Sequence, residues 1–326
     1  MKLKSDRWRR ALAGGALIAS LGLVSCGGGQ QVQAFSPNRV IAFGDESSVI
    51  DDSSSTANGR KYSVNATVSA TDPTLVCSAF PLWIQATASA YNLVFPQCNN
   101  AATPVASPAS RIRATPNAKV ADLAAQIDAQ AAESAYTTRD LAMVLIGQND
   151  VLAAYAQFPS VPETQLIANL ENAGKALGEQ VNRLAATGAK VLIATIADVG
   201  LTPFAADQKK NNTDTDRAAL LSRLTARFNA SMRATIINDG RMIGLILFDE
   251  YTQTVYRIVN AGGFTNVLDA VCDPAKAPTI LDCTSLTLVA NGNATTYLWG
   301  DATHLSAGGQ LALGTLARQR ASNNPF

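Results

Sequence analysis

The chain has 326 residues, 47% of them hydrophobic and 16% charged, which is apolar material for one large core or two small ones and excludes wholesale disorder. Lys and Arg number 26 against 25 Asp and Glu; beyond the first ten positions, which hold five basic residues and one acid, 21 basic and 24 acidic residues remain, a net of −3. After Arg10 no basic cluster is larger than a pair such as Lys209-Lys210, so the chain has no electrostatic footprint for nucleic acid.

In chain order, Lys2, Lys4, Arg7, Arg9 and Arg10 precede an apolar stretch of small residues over 11–24. Residues 1–25 therefore read as a secretory signal, too short to span a membrane. Its end, Leu23-Val24-Ser25-Cys26-Gly27, looks like a bacterial lipobox, in which Cys26 becomes the first mature residue and carries lipid; ordinary cleavage nearby with a free Cys26 is the alternative. Gly27, where an aspartate would retain the protein, favours the outer membrane. The expectation is an exported bacterial lipoprotein of the outer membrane or cell surface, monomeric and touching the bilayer through its anchor only. Residues 26–37 read as a flexible tether, and 38–326 as one domain.

Within that domain, near-continuous apolar runs at 39–43 (RVIAF), 141–146 (LAMVLI), 190–196 (KVLIATI) and 243–248 (IGLILF) suit parallel strands covered on both faces. Helical spacing fills the intervals at 120–133, 164–186 and 216–237, and a closing helix over 306–320 has Ser306 as its N-cap. Alternating strands and helices predict a three-layer α/β/α sandwich around one parallel sheet. Residues 51–67 and 99–117 read as long loops that border a cleft. Cys77, Cys98, Cys272 and Cys283 form an even set in an exported chain, which predicts two disulfides. Of three possible pairings, the local ones, Cys77–Cys98 and Cys272–Cys283, are favoured as loop staples. No metal site is expected, because no CxxC occurs.

The chain has a single histidine, His304. Histidine is the usual base near neutrality, and Asp301, three residues upstream, is spaced to orient its ring. The same spacing also suits a plain surface pair that caps a helix. Gly147-Gln148-Asn149-Asp150 directly follows a strand, where α/β ligand sites form, and Asn149 can offer its amide to a developing oxyanion. Gly44-Asp45-Glu46-Ser47-Ser48 also follows a strand, and a serine after such a turn is a candidate nucleophile. Ser47 is the first choice, also as an oxyanion donor, and Ser48 the second; helix capping is the competing role of both. Gly44, Asp45, Glu46, Gly147 and Asp150 are expected to line the site.

In this order, Phe43-Gly44-Asp45-Glu46-Ser47, Gly147-Gln148-Asn149-Asp150 and Asp301-Ala302-Thr303-His304 resemble the blocks of the SGNH hydrolases, also called GDSL esterases/lipases. Asp198-Val199-Gly200-Leu201-Thr202-Pro203 and Ala261-Gly262-Gly263-Phe264 are similar to segments of the lipase-like branch, and the likeness covers residues 39–319. The resemblance implies a flavodoxin-like sheet and hydrolysis of a carboxylic ester by serine acylation without a cofactor, with His304 as base, Asp301 as its orienter and Asn149 as an oxyanion donor. It also implies a further backbone donor, expected from Ala109 or Ser110 ahead of a helix over 118–132. The first block carries Glu46 where the family has serine. A buried Glu46 beside His304 would pair with it and raise its pKa. The alternative function is a catalytically silent lipoprotein that keeps this fold to bind a ligand.

Overall fold

The computed structural model describes residues 35–53, 57–238, 240–324 and 326. The signal over 1–25, Cys26 and most of the tether lie outside the described residues. Phe35 is already packed against the core, with its ring edge-on to Phe326 at 5.3 Å between centroids. Phe35 is thus packed on the core although it falls within the segment read as tether.

Five parallel strands form the central sheet: β1 (Arg39–Gly44), β2 (Arg111–Ile112), β3 (Asp140–Leu145), β4 (Lys190–Ala194) and β5 (Ile243–Ile246). Their order is β2-β1-β3-β4-β5, which is the flavodoxin-like arrangement. Every position of β3 is buried, as a strand covered on both faces requires. The helices are α1 (Trp83–Ser89), α2 (Leu123–Glu133), α3 (Gln148–Tyr155), α4 (Glu163–Ala186), α5 (Pro203–Asn211), α6 (Arg217–Thr235), α7 (Phe248–Arg257) and α8 (Ala307–Asn323). α1 packs on α8, and α2 and α6 pack on α4, so that two helix layers flank the sheet. In α4 the buried residues Leu166, Leu170, Leu177, Val181 and Leu184 recur at helical spacing and form the apolar stripe facing the core. Ser306 caps α8 through its hydroxyl, which accepts from the Gly309 N–H at 3.2 Å.

The four apolar runs became strands within two residues of their expected bounds, and the stretches 164–186 and 216–237 became α4 and α6 as closely, whereas α2 starts three residues after its expected bound and α8 ends three residues beyond its own. Two elements lie inside the presumed loops. Ile50–Asp51 pairs antiparallel with Arg60–Lys61, and β2 runs along the edge of β1. Both are too short to show a hydrophobic period. Two disulfides staple the connecting segments, Cys77–Cys98 and Cys272–Cys283.

Candidate active site

β1 and β3 are neighbours in register, with Gly44 opposite Leu145, and both end in a glycine turn. Gly44 has φ +124°, and a Cβ there would lie 1.8 Å from the Leu145 carbonyl oxygen. Gly147 has φ +126°, and a Cβ there would lie 2.2 Å from the Phe228 ring of α6. Only glycine permits either turn at this spacing. The two turns release the chain at the same sheet edge, so residues 45–48 and α3 face each other. The amide of Gln126 fixes the first turn, since it donates to Gly44 O at 2.9 Å and accepts from Gly44 N at 2.8 Å.

After Gly44, Asp45 caps a short 3₁₀ turn over Glu46–Ser48, its carboxylate accepting from the Ser47 N–H at 3.0 Å. This bond engages the backbone N–H of Ser47, the group expected as an oxyanion donor. The turn also sorts the side chains. Ser48 is buried, and its hydroxyl accepts from Trp83 Nε1 at 3.0 Å, so it belongs to the core and not to the site. Ser47 is half-buried and lines a narrow cleft with Gln148, Thr303 and Leu305. Glu46, buried, is the residue that turns inward.

The Glu46 carboxylate has three partners from three distant segments. Oε2 accepts from the Asn117 N–H at 2.8 Å and from Asn149 Nδ2 at 3.0 Å; Oε1 accepts from Asn149 Nδ2 at 3.2 Å and stands 3.7 Å from His304 Nε2. Asn149 Nδ2 also donates to Ala118 O at 3.1 Å, which aims the amide. The backbone N–H that meets Asn149 at this carboxylate is thus that of Asn117, and not of Ala109 or Ser110. The short edge strand β2 explains the difference. Ser110 precedes the strand and turns its hydroxyl to the Val40 N–H, whereas the chain reaches the active edge only after Ile112. Asn117 has φ +61°, a left-handed conformation that Asn tolerates where most residues do not. The Thr115-Pro116-Asn117 turn signature is the sequence signal that marks it. Asp150 lies beside the site and ties α3 to this segment, its carboxylate accepting from the Val120 N–H at 3.0 Å.

On the facing side, Asp301 does two jobs. Its Oδ1 accepts from the N–H groups of Thr303 and His304 at 2.9 and 2.8 Å, which folds the loop, and both oxygens lie 2.9 Å from His304 Nδ1. Asp301 therefore folds the loop and faces the ring at once, while the helix that follows is capped by Ser306 and not by Asp301. With Nδ1 on Asp301, Nε2 is turned toward Glu46. The loop is braced all round. Gly300 N–H donates to His304 O at 2.7 Å, Ser63 Oγ to Leu305 O at 2.9 Å, and Phe204 N–H to Ala302 O at 2.9 Å. The Cys272–Cys283 disulfide sits directly behind, since Cys272 N–H donates to Gly300 O at 2.8 Å. Tyr62, whose ring centroid is 6.3 Å from that of His304, forms a further wall. It is carried next to buried Lys61, whose ammonium donates to the carbonyls of Cys77 and Phe80 at 3.1 and 2.8 Å. Tyr62 and Gln126 have no local sequence signal, because both reach the site from segments remote in the chain.

The charges follow from this packing. Burial pushes the His304 imidazole down, but hydrogen bonds and charge from Asp301 and Glu46 outweigh it and raise the pKa to about 10. Burial raises Glu46 and Asp301, and the bonds from His304 reverse that and hold both carboxylates below their usual range. Burial and the charge of Glu46 lift Asp45 to about 7. The imidazolium thus sits between two carboxylates, while the amide and backbone donors point at one of them.

A three-layer flavodoxin-like sandwich with a His–Asp pair and convergent N–H donors at the carboxyl ends of its strands defines a hydrolase of the acyl-transfer class. The chain belongs to the GDSL-like lipase/acylhydrolase family, whose profile matches residues 42–316, and is by that membership a carboxylic ester hydrolase. No curated protein matches it. Among solved structures it is similar to a lipolytic protein of the G-D-S-L family from Veillonella parvula, at 12% identity over 86% of this chain and 96% of that one, with a TM-score of 0.41. Axe2, an acetylxylan esterase from Geobacillus stearothermophilus, has 12% identity over 90% and 97%, with a TM-score of 0.42. LAE5, an alpha/beta hydrolase from the metagenome of Lake Arreo, has 16% identity over 88% and 96%, with a TM-score of 0.42. Likeness at this level says nothing of this chain's substrate.

Proposed function

We propose that the protein hydrolyses carboxylic esters by acylation of Ser47, with His304 as base, Asp301 as its orienting carboxylate, and Asn149 and the Asn117 N–H as oxyanion donors. The observation that carries this reading is the meeting of the 2.9 Å His304–Asp301 bond with Asn149 over one sheet edge. Ser47 takes the nucleophile's role because it is the first-block hydroxyl that faces the cleft, while Ser48 is committed to Trp83. An ester carbonyl enters the hole once the Glu46 carboxylate has swung out. His304 then takes the Ser47 proton at Nε2, the donors hold the oxyanion, and the imidazolium protonates the leaving alkoxide; water repeats the sequence on the acyl-enzyme.

The same proposal places the protein outside the cytoplasm, as a monomeric lipoprotein anchored through Cys26 at the outer membrane or cell surface. The lipobox-like end of the leader supports this, and so do two disulfides, which persist in oxidising compartments. Trapping with a fluorophosphonate and locating the adduct by peptide mapping tests the nucleophile, with p-nitrophenyl esters of graded chain length as the activity assay. The expected adduct is on Ser47, and Ser47→Ala and His304→Ala both lose turnover while Ser48→Ala retains it. Wild-type protein with no His304-dependent turnover on any chain length would instead be a silent ligand-binding member of the family.

A further inference from the structure

Glu46 has no part in serine acylation, yet it holds the best-prepared position in the site. It is buried, ionised, faces the base, and has Oε2 bound by both oxyanion donors. A carboxylate so placed does nothing useful to an ester. Attack on the acyl carbon would give an anhydride, whose carboxylate leaves far more readily than the alkoxide, and the reaction would revert. At a saturated carbon the outcome differs, because the product is a stable ester of the glutamate itself. Carboxylate side chains are established covalent nucleophiles of this kind.

We propose that Glu46 is the nucleophile of a second activity at this site, the hydrolytic opening of small epoxides through a glutamyl ester. Oε1 attacks a ring carbon as that carbon's bond to the ring oxygen breaks on the opposite side, and His304 Nε2, which leaves its resting place 3.7 Å from Oε1 as the substrate enters between them, gives its proton to the departing oxygen. The ester that forms has Oε2 as its carbonyl oxygen, already 2.8 Å from the Asn117 nitrogen and 3.0 Å from Asn149 Nδ2. The glutamyl ester thus lies where the family's own ester substrate would lie. Neutral His304, oriented by Asp301, takes a proton from water as the hydroxide adds to Cδ. The tetrahedral oxyanion on Oε2 is held by the two donors. Collapse expels the diol alkoxide, which takes the proton from Nε2. The new Glu46 carboxylic acid returns its own proton to His304 and restores the resting ion pair. The balance is epoxide plus water to vicinal diol, with no oxidant, reductant or metal.

The nearest cleft, beside Ser47 and Thr303, the chain neighbours of Glu46 and His304, has apolar walls supplied by Leu145, Ile196, Phe248 and Leu305 but only about 10 Å³ of free space, so the substrate must be small and these side chains must part to admit it. An epoxide fits this site better than a haloalkane, because the imidazolium supplies the proton that an opening ring requires, whereas a halide needs a dedicated anion site. The proposal shares His304, Asp301 and Asn149 with ester hydrolysis but does not use Ser47, so either reading can fail alone.

The experiment is a single turnover of 1,2-epoxybutane by excess wild-type protein in ¹⁸O-water. The expected result is a diol free of heavy oxygen and a Glu46 peptide that has gained one heavy oxygen atom. In multiple turnover, Glu46→Gln loses diol formation at least a hundredfold while retaining the wild-type circular dichroism and a cooperative melting transition. Heavy oxygen in the first-turnover diol, an adduct on any other residue, or diol formation no faster than in buffer would overturn the proposal. If Glu46→Gln does not fold, the location of the label in the wild-type protein decides alone.

Discussion

The charge sandwich around His304 can be tested directly, because the chain has one histidine and its imidazole C2–H resonance needs no assignment. In the wild type that resonance should titrate at about pH 10, between Asp301 and Glu46. Glu46→Gln keeps an amide oxygen to accept from Asn117 and Asn149 but removes one negative charge 3.7 Å from Nε2. Two unit charges at that distance interact by about 4 kcal/mol at an effective dielectric of 20, equivalent to roughly three pH units. The His304 side chain is 17% exposed, so solvent screening reduces this to about one to two units. The midpoint should therefore fall to between about 8 and 9, and at pH 7.5 the neutral imidazole should rise from below about 1% to between a few and about 25% of molecules. Ester turnover, which needs the neutral base, should rise by about tenfold or more at neutral pH, and the rising limb of its pH profile should move down by the same interval. Stability should follow. A raised folded-state pKa contributes stability that is fully present below about 6.5 and lost as the pH rises through about 10, and Glu46→Gln should flatten that loss in urea titrations. A wild-type midpoint near 6.5, or one unmoved by Glu46→Gln, would refute the ion pair and the reasoning built on it.

Asn149→Ala should lower kcat for ester hydrolysis by about 10² to 10³ with little change in KM, the usual effect of removing one oxyanion donor, measured by steady-state kinetics. Gly147→Ala places a methyl group against the Phe228 ring at a positive φ and should cost about 3 kcal/mol or more in urea unfolding, with Gly188→Ala, which has room for a methyl group, as the milder comparison. Replacing Cys77 and Cys98 together by serine opens a 21-residue separation and should cost about 3 kcal/mol in the same assay.

Legibility in the sequence tracked how local each feature is. The strands could be read because a central parallel strand is covered on both faces and so is apolar at every position, as β3 is. The 3₁₀ turn at Glu46 and the edge strand β2 could not, since three or two residues carry no period. The backbone N–H that meets Glu46 is that of Asn117 and not of Ala109 or Ser110 for that reason: without β2, nothing indicated where the chain regains this edge of the sheet.

His304 and Asp301 were fixed as partners by the sequence alone, because a carboxylate three residues before an imidazole closes a turn through its own backbone bonds. The glycine turns that lead to Glu46 and Asn149 were likewise written locally. Which of Glu46, Ser47 and Ser48 faces the base was decided only in three dimensions. Trp83, 35 positions on, takes Ser48 into the core, while Asn117 and Asn149, 71 and 103 positions on, draw the Glu46 carboxylate inward through their hydrogen bonds. A side chain's direction within one tight turn depends on the partners that satisfy its buried polar atoms, and here those partners come from segments that only the folded sheet brings together.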